Sequence, residues 1–293
     1  MQRQVNNMKN TGAQTVEFDE IAYEINGAVA EIVLNRPAQL NPISGRPGGT
    51  REQIMHALDL AEADPAIGCV IVRGAGRAFS AGGELSGGIK RETATEHLAF
   101  LEHAERFHSR IRTAKLPVIG AVHGLCLGAA MTLAASCDFV IAAESARFGL
   151  PEGRIGLIGV TSIVSRVDRQ WAKFLMITGE MISARKAAEI GLVLTVEPDE
   201  VHLDRTRELA VRISRLPKEA ILLNRRTIDA FADAAGESAG RIAGTAHDIA
   251  TLVDSMRAAA PDGRTFREIL ATDGMDGMKK ARAEQYDSSW LTP

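Results

Sequence analysis

The chain has 293 residues, with 34 Lys and Arg against 37 Asp and Glu for a formal net charge of −3, which excludes the basic field that draws nucleic-acid and anionic-membrane binders to their partners. Its 45% apolar and 24% charged content excludes a disordered chain and fits a large soluble domain, alone or with an appendage. Cys69, Cys126 and Cys137 sit in apolar runs with no CxxC or Cys/His cluster, so no metal site is expected and reduced thiols in a cytoplasmic protein are.

In chain order, the polar opening "MQRQVNNMKN" lacks the apolar stretch of a signal peptide and predicts a flexible tail over 1–14. In "DEIAYEINGAVAEIVLNRP", two alternating runs flank Asn26-Gly27, which predicts a two-residue β-hairpin. Short apolar runs follow, "CVIVRGAG", "PVIGAVHG" and "FVIAAESARFG", each ending in a glycine-bearing turn. Helical patterns lie between and after them, over 50–63, 92–114, 127–136, 161–178 and 184–190. Ser183 caps the last of these and Gly191 stops it. Alternating strands and helices predict an α/β core over 15–215. Beyond Pro217 the pattern is continuously helical, so 216–293 reads as a helical appendage whose apolar faces need a partner surface.

One stretch admits a membrane reading. From Leu116 to Ser136 no residue is formally charged, and a spanning helix needs about 20 such residues. Pro117, His123 and glycines 120, 124 and 128 interrupt it, however, and no basic flank orients it. A buried strand followed by a buried helix accounts for the same residues, so no membrane is expected.

"RGAGRAF" offers Gly74 and Gly76 after a strand, but Phe79 stands where a dinucleotide fingerprint needs its third glycine, so a plain turn is expected. His97, His103 and His108 fall on a charged helix at spacings unsuited to a shared metal, and a solvated face is the default reading. Three other segments fit one chemistry together. "AFSAGGEL" places Gly82-Gly83 in a turn, "GLCLGAAMTL" opens a helix at Gly128-Ala129, and "ARFGLPEG" presents Glu152 after a proline. Small residues at two turns let a carbonyl oxygen approach two backbone N–H groups, each such donor being worth about 10²–10³ in rate. A lone carboxylate beside them can move a proton. Taken singly, each glycine is a turn and Glu152 a surface residue.

The order and spacing of these segments resemble the crotonase (enoyl-CoA hydratase/isomerase) superfamily. The resemblance runs from about residue 16 to 215 through "VLNRPAQLNPIS", "ALDLAEADPAIGCVIVRGAGRAFSAGGEL", "PVIGAVHGLCLGAAMTLAASCDFVIAAESARFGLPE" and "ITGEMISARKAAEIGLV", and "ATDGMDGMKKA" is similar to the family's usual ending. It implies a ββα spiral core with a C-terminal helical oligomerisation region. It also implies an acyl-CoA substrate, with CoA entering as part of that substrate and no metal or separate cofactor, and a homotrimer or dimer of trimers. By the resemblance, the N–H groups of Gly83 and Ala129 form an oxyanion hole, with Ala81, Gly82 and Gly128 around the thioester. Of the two glutamates of the family's hydratases, the second matches Glu152 and the first falls on Thr132. Threonine can hold a water but is no base near neutral pH. A single glutamate there is the pattern of members that shift a double bond, and hydration by one carboxyl group and a held water stays open.

Further departures bear on the substrate. "GLIGVTSIVSR", with Val160, Thr161, Ser162 and Ile163, replaces a glycine-rich stretch at the acyl end, which implies an unusual acyl group or a different helix packing. "ISGRPGGTREQ" is about three residues longer than the family norm, as a flap or a surface insertion. Arg36, Arg73 and Arg77 lie near turns that can face CoA phosphates. His123 stands where the family has asparagine. It is expected to be a neutral histidine bonded to backbone, while an alternative of carbon–carbon hydrolysis of a cyclic diketone without CoA would use it catalytically. A non-catalytic scaffold or RNA-binding member of the fold is the third possibility.

Overall fold

The computed structural model describes residues 14–84, 93–155, 161–250, 259–285 and 290–291. Most of the expected tail lies outside these, and Gln14 opens β1 (Gln14–Glu17). The hairpin is formed by β2 (Ile21–Asn26) and β3 (Val29–Leu34). Its register pairs Asn26 with Val29, so the two loop residues are Gly27-Ala28, one position later than the Asn-Gly signal suggests. Then come α1 (Thr50–Ala63), β4 (Cys69–Gly74), α2 (Ala94–Arg112), β5 (Val118–Val122), β6 (Leu125–Leu127), α3 (Ala129–Ser136), β7 (Phe139–Ala143) and β8 (Arg147–Gly149). The chain continues through α4 (Arg169–Thr178), β9 (Met181–Ser183), α5 (Ala184–Glu189), β10 (Thr195–Glu197), α6 (His202–Ser214), α7 (Lys218–Ala234), α8 (Glu237–Ala250) and α9 (Phe266–Gln285).

Two sheets organise the core. The larger runs β1-β2-β3-β4-β5-β7-β10, antiparallel through the hairpin and parallel from β3 onward; the smaller is β6-β8-β9. The chain repeatedly leaves the large sheet and adds a short extended piece to a second layer before entering a helix. After β3, Ile43 bridges Gly83; after β4, Ser80 bridges Cys126; after β5 and β7, β6 and β8 pair with one another. This is the spiral of β-β-α units that the resemblance implies. The uncharged run 116–136 is spent on β5, β6 and α3, and no helix among the described residues is long and apolar enough to cross a membrane.

The stretch expected to be one helix over 161–178 is instead a 3₁₀ turn, Thr161–Ser165, followed by α4. Asp168 accepts from the Gln170 N–H and starts α4 afresh, a capping signal stronger than the continuous apolar pattern. Ser183 and Gly191 behave as read: Ser183 Oγ accepts from the Lys186 N–H at 3.2 Å, and Gly191 has φ +82°.

Candidate active site

The site is assembled where two of these layer-changing turns meet. Ile43 N–H donates to the Gly82 carbonyl (2.8 Å) and Glu84 N–H to the Ile43 carbonyl (3.1 Å), which holds Gly83 in an extended position between them. Gly82 has φ +109°, and a Cβ there would stand 2.7 Å from the Leu127 carbonyl oxygen, so only glycine lets the two turns approach this closely. A Cβ on Gly83 would lie 3.7 Å from the Ala129 Cβ. Ala129 is the first residue of α3, whose early N–H groups have no intrahelical acceptor. Among the described residues, neither the Gly83 nor the Ala129 N–H donates to any acceptor. Two vacant donors therefore lie side by side.

Glu152 completes the arrangement. It stands in the 3₁₀ turn Pro151–Ile155, and its carboxyl group lies over Gly128, the residue before Ala129. Gly128 has φ +54°, and any Cβ there would overlap Glu152 Oε1. Burial raises the Glu152 pKa from 4.5 to about 7, with backbone hydrogen bonding and the charge of Arg282 pulling slightly the other way. Its Oε2 is buried without a hydrogen-bond partner among the described residues. A sealed carboxyl oxygen with nothing to bond costs on the order of 1–3 kcal/mol, and such costs mark sites built for a ligand. Thr132 follows Ala129 by three residues on α3, hence lies on the same face, and is half-buried.

The remaining expected residues fall as follows. Ala81 is exposed beside Gly82 and donates its N–H to the Leu40 carbonyl. Val160 lies outside the described residues, and Ile163 is buried in the main core. Arg36 ion-pairs with Glu84 Oε1 (2.8 Å) and Glu20 Oε1 (3.4 Å), next to Gly83. Arg73 is corrected: it does not face the site but binds Glu31 (2.6 Å) and Glu24 (2.8 Å), on the side of the sheet where Arg207 of α6 binds the same Glu31. Arg77 is exposed. His123 Nε2 hydrogen-bonds the Gly76 carbonyl at 2.8 Å, the backbone role expected of it. The length of β6 separates it from Gly128, on the order of 10 Å.

The 44–51 stretch is a surface insertion: Arg46, Pro47 and Gly48 are exposed at its tip, while Ser44, Thr50 and Arg51 are buried at its ends and Glu20 binds both Arg46 (2.7 Å) and the Thr50 N–H (2.7 Å). One expectation is overturned. The histidines of α2 do not form a solvated face, since His97 and His108 are buried and the His103 Nε2 is sealed. Arg51 was missed altogether. The available signal is its spacing, because Arg51, Ile54, Leu58 and Ala61 recur at three- and four-residue intervals on the buried face of α1.

Comparison with known proteins identifies the family. The family model described as enoyl-CoA hydratase/isomerase matches residues 24–254. A putative enoyl-CoA hydratase of Thermus thermophilus is 31% identical over 227 residues, 75% of this chain and 88% of the relative. The 2,3-dehydroadipyl-CoA hydratase of Escherichia coli is 33% identical over 190 residues, 63% of this chain and 71% of that one. The crystal structure of an enoyl-CoA hydratase/isomerase from Xanthobacter autotrophicus Py2 superposes with a TM-score of 0.85 at 29% identity, covering 93% of this chain and all of its own.

Proposed function

The chain belongs to the enoyl-CoA hydratase/isomerase family, and from that premise we propose that it moves a proton on an unsaturated acyl-CoA through a thioester enolate, with Glu152 as the one acid/base. The observation that carries this reading is the buried, unpartnered Glu152 Oε2 beside the vacant N–H groups of Gly83 and Ala129. The thioester oxygen accepts both N–H groups, and as charge builds on it they bind more tightly than they bind the ground state. This acidifies the α-carbon and, through the conjugated bond, the γ-carbon. Glu152 takes the proton as a carboxylate and returns it as an acid. A pKa of about 7 suits both steps at neutral pH.

The net reaction we propose is a shift of the double bond, since one carboxyl group suffices to remove a proton at one carbon and return it at another. Thr132, in place of a second carboxylate, donates a hydrogen bond but takes no proton. CoA enters as part of the substrate, and the protein works as a homotrimer or dimer of trimers through the helices beyond residue 216.

Incubating a panel of acyl-CoA thioesters in D₂O with wild type and Glu152→Gln, followed by mass spectrometry, tests the reading. Wild type takes up deuterium at the α- or γ-carbon without adding water, and the variant loses at least about 10³-fold in rate while binding acyl-CoA within a few-fold. A product that gains water replaces the bond shift by hydration on the same enolate. Absence of exchange across the panel overturns enolate chemistry.

A further inference from the structure

The peptide unit that carries the Gly83 N–H joins two glycines, Gly82 and Gly83, so no Cβ on either side limits the rotation of its plane. An oxyanion donor is effective only when it is aimed before charge develops on the substrate. Contacts from outside the turn must therefore hold this plane.

The loop between β3 and α1 supplies them. Ile43 N–H donates to the Gly82 carbonyl at 2.8 Å. In a trans peptide the carbonyl and the N–H that follows it point in opposite directions, so the Gly83 N–H is aimed away from Ile43. On the other side of Gly83, Glu84 N–H donates to the Ile43 carbonyl at 3.1 Å. The side chain of Glu84 is tied to the same loop, because Arg36 Nη2 donates to its Oε1 at 2.8 Å. Residue 84 is thus gripped through backbone and side chain at once.

The grip has a fixed base. Arg36 N–H donates to Asn41 Oδ1 at 2.9 Å, and Arg36 Nη1 lies 3.4 Å from Oε1 of Glu20, which is only 4% exposed. Glu20 also accepts from Arg46 and from the Thr50 N–H, each at 2.7 Å, so it cannot follow a movement of Arg36. The hydrogen bond to Glu84 raises the Arg36 pKa against the pull of burial, and the charges of Glu84 and Glu20 add to the rise. A planar guanidinium that spans two carboxylates holds its direction in a way an ammonium does not. Its positive charge also lies against a carboxylate one residue from the donor, where negative charge opposes the charge building on the thioester oxygen.

We propose that Arg36 is a positioning residue of the oxyanion hole, setting the direction of the Gly83 N–H through Glu84 with the buried Glu20 as its anchor. This rests on the enolate reading above and deepens it. The guanidinium is then committed to two carboxylates rather than to the phosphates of CoA.

Two readouts test it: steady-state kinetics on the enoyl-CoA that exchanges fastest in D₂O, and the infrared C=O stretch of its saturated counterpart, isotope-labelled at the thioester carbonyl and bound to the protein. Wild type lowers that stretch relative to water, because both N–H groups polarise the bond. Arg36→Met and Glu84→Gln each lose part of the lowering and about 10–100-fold in kcat, with the Kd for acyl-CoA within a few-fold of wild type. Arg36→Lys retains more of both than Arg36→Met. The double variant falls no further than the weaker of the two single ones, since both remove one contact. A purely structural role lowers the melting temperature and leaves the stretch unchanged, and a CoA-phosphate contact raises KM and leaves kcat and the stretch unchanged; either result overturns the inference. If Arg36→Met fails to fold, Glu84→Gln decides. A lowered stretch in wild type that survives both variants overturns this inference alone, whereas a wild type that does not lower it overturns the oxyanion hole and the proposed function together.

Discussion

Glu152 is held in the fold against its own solvation, and that has a thermodynamic consequence apart from catalysis. Its pKa rises from 4.5 to about 7 because burial penalises the charged form. The folded chain thus binds this proton more tightly than the unfolded chain does. The stability it contributes is fully present below about 4.5 and is lost as the pH rises through about 7. At about 1.36 kcal/mol per unit, holding the ionised carboxyl costs roughly 3 kcal/mol once both states are deprotonated. Glu152→Gln removes that cost. Thermal melts near pH 8 should place the variant roughly 5 °C above wild type, with the gap closing towards pH 5. Equal melting temperatures at pH 8 would show that the carboxyl is not desolvated. At this scale the sequence was partly legible. Gly82, Gly83, Gly128 and Glu152 announce themselves because backbone approach demands small residues and because a carboxylate after Leu-Pro stands out. Arg51 does not, since a charged residue in the first turn of a helix ordinarily faces water, and only its three neighbours in the core periodicity argue otherwise.

The loop between β3 and α1 and the turn after β4 form one mechanical unit, and Asn41 joins them. Its backbone sits at φ +54°, a conformation asparagine tolerates better than most residues. Its Nδ2 donates to the carbonyls of Ala75 (2.9 Å), Ala78 (2.8 Å) and Phe79 (3.2 Å), while its Oδ1 accepts from the Arg36 N–H (2.9 Å). Asn41→Asp keeps the shape and turns a donor into an acceptor facing three carbonyl oxygens. The cost should be about 3 kcal/mol or more, read as a lower denaturation midpoint at unchanged slope. Because this unit leads directly into Gly83, kcat should fall as well. A variant with wild-type midpoint and turnover would show that the loop holds its place by other contacts. Elements of this size were legible wherever the signal is local, as with the Ser183 cap of α5 or the strand ends at glycine. They were not legible where a distant partner decides. The α2 histidines turn inward because α1 and α3 close over them, and the ends of the 44–51 segment are held down because Glu20, far from it in sequence, binds it. No short window of sequence contains either fact.

Across the whole molecule the helices after residue 216 present a mismatch between how they are tethered and what they expose. α7 is tied down by polar contacts: Arg225 binds Asp138 Oδ1 (2.7 Å) and the carbonyls of Arg112, Ala114 and Leu116, and Lys218 reaches the carbonyls of Pro65 and Ile67. Its large apolar side chains point the other way, with Leu223, Ile228 and Phe231 between 60% and 75% exposed and Ile242 of α8 at 72%. Isolated exposed apolar residues are ordinary, but four on two consecutive helices form a surface that water disfavours. Burying a side chain of this size is worth about 1.5–3 kcal/mol, so covering the set by a second copy of the chain outweighs much of the entropy of association. A closed ring repeats that contact without leaving a copy uncovered. Sedimentation should therefore give a trimer or hexamer at micromolar concentration, and Ile228→Glu with Phe231→Glu should reduce it to monomers of unchanged helix content. A wild-type monomer would assign this surface another partner.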